Sequence, residues 1–241
     1  MRSLVILILF FLLGLIGETS LLPLARSYSD TSSFVLILSA LASLLTLFFP
    51  AIAYALTTAY KQQSISSWSQ IISLRSPCFG NRRNLGIWFA VTIAVFLLAF
   101  YSEELSQWIV NNLQGEWGNR IRTYSHDAEA HQRDILLAQR ENLFLQIFCV
   151  ALVPAIAEEL FMRGALQPIL IRLMGNRHMG ILLTALIFTL LHLSVVHFLG
   201  ILLFALYFGY ITHYTRSILP SIVVHFINNT ITILSLHFTQ L

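Results

Sequence analysis

Glu158, Glu159 and Arg163 interrupt an apolar run that otherwise extends from Ala151 to Leu170. An ionisable side chain at the middle of a bilayer costs about 2.5 to 3.5 kcal/mol, so three without partners or water would cost roughly 8 to 10 kcal/mol. Such residues are functional candidates by default. Helical geometry separates the two carboxylates: Glu159 and Arg163, four residues apart, share one stripe, whereas Glu158 is rotated from Glu159 by about 100°. Glu159 is therefore expected to neutralise Arg163. Glu158 is left without that cation, and an unpaired carboxylate in a low-dielectric site is the kind of group that serves as a general base near neutrality. The competing reading is that the cluster snorkels to an aqueous interface, because Gly164, Pro168 and Arg172 follow. A helix continuing to about Leu173 weakens that reading, since Glu158 then lies some 15 residues from its end.

Two further polar pairs occur in apolar surroundings. His192 follows Phe188 by four residues, and Asn229 follows His225 by four, so each pair lies on one helical face. A single histidine in a membrane is more often a helix-to-helix hydrogen-bonding residue than a catalyst. In company the balance changes: one Glu, two His and one Asn from three helices can share one polar cavity, where each alone would be desolvated separately. His192 lies 14 residues past His178, so two antiparallel helices joined before His178 bring Glu158 and His192 to a similar level. Asn228 points about 100° away from Asn229 and is the weaker candidate. His126, His131 and His178 are read as loop residues, and His197, His213 and His237 as residues near span ends, without a role.

The elements that must position these residues are membrane helices. Of 241 residues, 57% are hydrophobic and 10% charged, which excludes a soluble globular enzyme. Seven apolar runs are predicted to span, at roughly 4 to 24, 33 to 58, 86 to 101, 143 to 163, 179 to 196, 198 to 212 and 218 to 238. The fold class expected is all-α, a polytopic bundle of about seven transmembrane helices with an intramembrane polar cavity. The first run also has features of a signal peptide, with Arg2 before the apolar stretch and Gly17-Glu18-Thr19 at a cleavage-like spacing. Lys and Arg near span ends remain cytoplasmic. With the N-terminus inside, Arg2, Lys61, Arg75, Arg82, Arg83, Arg172, Arg177 and Arg216 face the cytoplasm with no acid in those loops. The other side holds Arg26, Arg120, Arg122, Arg133 and Arg140 with eight acids, among them Glu103, Glu104, Asp127 and Asp134. The expected topology is N-terminus cytoplasmic and C-terminus external, with 102 to 142 a long external, partly helical cap. Cys78 and Cys149 suggest neither a disulfide framework nor a Cys-based metal site. No phosphate loop, zinc-protease helix or serine elbow is present, and nothing argues for nucleic acid.

The ordered set of motifs resembles that of the CPBP intramembrane proteases. Glu158-Glu159-Leu160-Phe161-Met162-Arg163 resembles their E-E-x-x-x-R motif, Phe188 to His192 F-x-x-x-H, and His225 to Asn229 H-x-x-x-N. The family includes the CAAX prenyl endopeptidases and bacterial relatives associated with bacteriocin self-immunity. The resemblance covers about residues 140 to 240, so the chain divides into an N-terminal part, 1–140, with no family match, and a CPBP-like catalytic bundle, 141–240. It implies hydrolysis of a peptide bond near the terminus of a membrane-associated protein or peptide, a prenylated CAAX protein included. Glu158 and His192 would activate water, His225 and Asn229 would stabilise the oxyanion, and Glu159 with Arg163 would hold the architecture. The implied cofactor is none. Ligand chemistry alone also allows a catalytic zinc at Glu158, His192 and His225. A compact chain with this charge asymmetry fits a bacterial inner membrane, with a peptide substrate and the bilayer as partners. The alternative functions are a non-catalytic binding or immunity protein using the same cavity and, less favoured for want of an inverted repeat, a transporter with Glu158 as its proton site.

Overall fold

The computed structural model describes residues 2–19, 32–62, 68–137 and 141–238, with some side chains near these limits left aside. Stretch 20–24 of the first predicted span, Arg26 and Arg140 lie outside the described residues. Seven apolar helices correspond to the seven predicted runs, and no strand occurs among the described residues. They are α1 (Arg2–Thr19), α2 (Ser33–Lys61), α3 (Arg82–Asn112), α5 (Leu143–Met174), α6 (Arg177–Leu191), α7 (Phe198–Thr215) and α8 (Leu219–Phe238); the polar α4 (Gly115–Leu137) lies between α3 and α5. Five of the apolar helices are long and apolar enough to cross a bilayer, α1 and α6 being the shorter two. The protein is an integral membrane, all-α bundle.

The core forms where α1, α2, α5, α6 and α7 meet, around Leu7, Ala51, Tyr54, Phe161, Met162, Ile169, Ala185 and Ala205. Small residues let the backbones approach, as expected where lipid offers no hydrophobic drive between helices. One such close approach is between α5 and α6, where a Cβ on Gly180 would fall 2.6 Å from the Cα of Ile171. Gly180→Ala is therefore expected to lower the thermal unfolding midpoint of the detergent-purified protein, on an overpacking cost of about 1 to 3 kcal/mol. Gly86→Ala, whose Cβ would meet nothing within 4 Å, is the comparison that should leave it unchanged.

Several span boundaries differ from the sequence expectation, two of them beside the polar cluster. The fourth run continues past residue 163 to Met174, through π-helical turns at Ile147–Leu152 and Leu160–Leu166, and ends on Gly175 in the left-handed conformation. The fifth ends at Leu191, five residues before the predicted 196. Its physical stop is twofold: the His192 ring takes the Phe188 carbonyl, with Nδ1 2.8 Å from the oxygen, and Leu193 turns the chain at φ 50°. Residues 192–197 thus form the link to α7, which the sequence had assigned to His197 alone. His126 and His131 lie within α4 and His178 in the first turn of α6, so these three are helical and not loop residues; Asn176 caps α6 just before His178, its side chain accepting from the His178 and Met179 amides.

The charges separate along the bundle. The end formed by the last turns of α2, α5 and α7 and the first turns of α3 and α6 carries Lys61, Arg82, Arg83, Arg172, Arg177 and Arg216, while the sequence from 31 to 102 and from 160 to 238 contains no acid. Segment 72–80 closes beneath α7, where the Cys78 amide donates to the Thr215 carbonyl (3.0 Å) and Arg75 Nε to the Arg216 carbonyl (2.6 Å). At the opposite end α3 continues as helix well beyond residue 101, carrying Glu103 and Glu104, and α4 reaches back so that the Tyr124 hydroxyl lies 3.4 Å from the Leu193 carbonyl.

Candidate active site

Glu158 stands halfway along the 32-residue α5. Helix α6 has 15 residues and so rises only about 22 Å, less than a hydrocarbon core of about 30 Å. His192, the residue that follows its last turn, lies level with Glu158.

Glu158 Oε2 lies 3.9 Å from His192 Nε2 and 3.7 Å from His225 Nε2, so one carboxylate oxygen faces two imidazoles from two other elements. Both separations exceed direct hydrogen-bond length, and the oxygen has no hydrogen-bond partner among the described residues. The ring tautomers follow from the far nitrogens. A carbonyl can only accept, so His192 Nδ1 donates to Phe188. The other ring meets Glu159 Oε1 3.2 Å from His225 Nδ1, and a carboxylate already paired with Arg163 also accepts. With Nδ1 protonated in both rings, their Nε2 lone pairs point toward Glu158 in the neutral state. Three acceptors converge with no donor among them.

Beneath this trio lies a fully buried ion pair. Arg163 donates to Glu159 Oε1 at 2.8 Å and to the Ala205 carbonyl of α7 at 3.1 Å, both side chains being 0% exposed. The guanidinium is held between aromatic faces, 4.6 Å from the Phe188 centroid and 5.3 Å from that of Phe208. One turn further, Gln167 Nε2 donates to the Gly209 carbonyl at 3.0 Å. Glu159, Arg163 and Gln167 thus form a buried polar row on one face of α5, consistent with the i, i+4 spacing. Side-chain exposure then rises from 0% at Glu159 through 7% at His225 and 18% at Glu158 to 35% at His192. The site opens on the His192 side.

The structure brings Glu158, Glu159, Arg163, His192 and His225 into one cluster. Asn229 lies one turn beyond His225 on α8, half-buried, and its amide makes no hydrogen bond among the described residues. No group of three or more His, Cys, Asp and Glu side chains among the described residues is arranged as a metal site. Sequence reasoning did not single out Phe208, which stacks on His225 at 5.2 Å and on Arg163 from the other side, nor the Ala205 and Gly209 carbonyls. Phe208 is one of 18 phenylalanines in apolar surroundings, and a backbone acceptor leaves no mark in side-chain pattern. Phe188 was legible through its spacing to His192, and its ring lies 4.5 Å from the imidazole.

Comparison with curated proteins and with solved structures gives no match. A family model does match: residues 140–231, which span α5 to α7 and most of α8, are similar to the type II CAAX prenyl endopeptidase Rce1-like family.

Proposed function

We propose that the protein is an intramembrane endopeptidase in which Glu158 and His192 activate a water molecule against a peptide bond near the terminus of a membrane-associated protein or peptide. The observation that carries this reading is the convergence of three acceptors, Glu158 Oε2 and the Nε2 atoms of His192 and His225, halfway along an apolar helix long enough to cross a bilayer. Three lone pairs facing one another repel unless a proton-bearing molecule joins them. Water is the smallest such molecule, and bridging contacts beyond direct hydrogen-bond length are its usual place. As water oxygen attacks the carbonyl carbon, its proton passes to the Glu158 and His192 pair. The π electrons of the carbonyl become the oxyanion, and collapse expels the amine, which takes that proton.

His225 enters as an acceptor when neutral. It becomes an Nε2–H donor to the oxyanion once it has taken a proton. Asn229 offers a second, neutral donor, its amide being uncommitted. Asn229→Ala is expected to lower kcat about 100- to 1,000-fold with a smaller change in KM, the behaviour of a donor used in the transition state. Equal losses in KM alone, measured by steady-state kinetics, would assign Asn229 to substrate binding.

The Rce1-like match supports a CAAX-type substrate, and the charge asymmetry supports a bacterial inner membrane, with the N-terminus cytoplasmic and the C-terminus external. The reaction proposed needs no metal. The test is purified protein on a fluorogenic prenylated CAAX peptide and on an unprenylated peptide library, each with and without a strong chelator. Cleavage that survives chelation and disappears in Glu158→Gln fits the proposal. Loss with chelator and rescue by zinc would replace it with a zinc site at Glu158, His192 and His225. Absence of cleavage by well-folded protein, with a cellular phenotype that persists in Glu158→Gln, would favour the non-catalytic binding or immunity reading.

A further inference from the structure

At the basic end of the bundle α6 begins and α7 ends side by side, and the residues there form a cation-rich cluster with no carboxylate. Arg177 Nε donates to His178 Nε2 at 3.3 Å, and His178 Nδ1 therefore donates to the Tyr210 hydroxyl 2.9 Å away. The Arg177 guanidinium lies 5.9 Å from the centroid of Tyr214. His213 lies in the last turn of α7, three residues before Arg216. The terminal guanidinium nitrogens of Arg177 and the whole Arg216 side chain make no hydrogen bond among the described residues, and both residues are exposed. Arg163, in contrast, lies between two rings with Glu159 as counter-ion.

Like charges gathered without a counter-ion repel, and nothing in the sequence from 160 to 238 supplies one. An external anion relieves that repulsion. The start of α6 adds the positive end of its dipole at the same place. On α6, Met179 in the first turn and Leu182, one turn beyond His178, remain exposed, an apolar surface beside the charges. A phosphate headed by cations with hydrocarbon beneath it is the arrangement of a phospholipid at a membrane surface.

We propose that Arg177 and Arg216, with His178, Tyr210 and Tyr214 beside them, bind the phosphodiester headgroup of an anionic phospholipid whose chains run along Met179 and Leu182. The inference is independent of the protease reading, since it needs neither catalysis nor a known substrate.

The test uses the full chain in nanodiscs of phosphatidylcholine with and without phosphatidylglycerol, with lipid retention read by native mass spectrometry and folding by the thermal midpoint. Wild type is expected to retain phosphatidylglycerol in a saturable way and in preference to phosphatidylcholine. Arg177→Gln with Arg216→Gln is expected to weaken retention about 30-fold, from about 1 kcal/mol per cation near the surface. The corresponding pair of Lys substitutions should keep most of it, and Arg120→Gln at the opposite end should change nothing. No preference of wild type for phosphatidylglycerol overturns the proposal. An equal loss in Arg82→Gln with Arg83→Gln would show diffuse charge in place of a site. Full displacement of lipid by inorganic phosphate at low concentration would show a small-anion site and overturn the lipid assignment. If the Gln pair fails to fold, the single Arg177→Gln variant carries the comparison.

Discussion

Glu158→Gln is expected to reduce peptide hydrolysis by about 100- to 10,000-fold while leaving the folded protein and its thermal midpoint close to wild type. The amide keeps the shape of the carboxylate and can still face His192 and His225, but it cannot take a proton from water. The side chain is 18% exposed and makes no direct hydrogen bond, so little packing depends on its charge. His192→Ala should fall within the same range, and the double variant should be scarcely worse than either single one, because two groups that share one proton act as a unit. Rates that multiply in the double variant would show that Glu158 and His192 act in separate steps. Wild-type turnover in Glu158→Gln would remove the general base from the proposal altogether.

Arg163→Met should be far more damaging to the fold. It leaves Glu159 buried without its guanidinium counter-ion, and breaking a buried pair from one side costs about 3 to 5 kcal/mol. Against a total stability of about 5 to 15 kcal/mol for a typical domain, that loss is large. The expected result is poor recovery as a monodisperse species after detergent extraction, with a lowered unfolding midpoint in whatever is recovered. Combining Glu159→Gln with Arg163→Met should restore much of the fold, because the uncompensated charge is gone and the glutamine oxygen still accepts from His225. Hydrolysis should stay impaired in that rescued variant, since the carboxylate that holds the His225 ring through Nδ1 is replaced by a neutral amide. If the double variant folds no better than Arg163→Met, the packing of the guanidinium between Phe188 and Phe208, more than charge balance, accounts for its burial.

The sequence by itself determined the solvent, the helix class and the pairing along α5. Composition and run length required membrane helices, and the i, i+4 period required Glu159 to face Arg163 because both lie on one rigid element. The same period placed Phe188 beneath His192. The charge asymmetry was also legible, since loop residues need only be assigned to one end or the other.

Contacts between elements were decided by the tertiary structure. That Glu158 Oε2 lies near two imidazoles depends on how closely α6 and α8 pack against α5. The end of α6 at Leu191 comes with a ring-to-carbonyl hydrogen bond and a left-handed leucine, which apolar patterning cannot register. That Arg163 is satisfied by Ala205 and enclosed by Phe208 depends on how closely α7 packs, and close packing follows from small residues on facing helices. Periodicity reports which residues share a face of one helix; depth, register and the backbone acceptors of its neighbours exist only once the helices have packed.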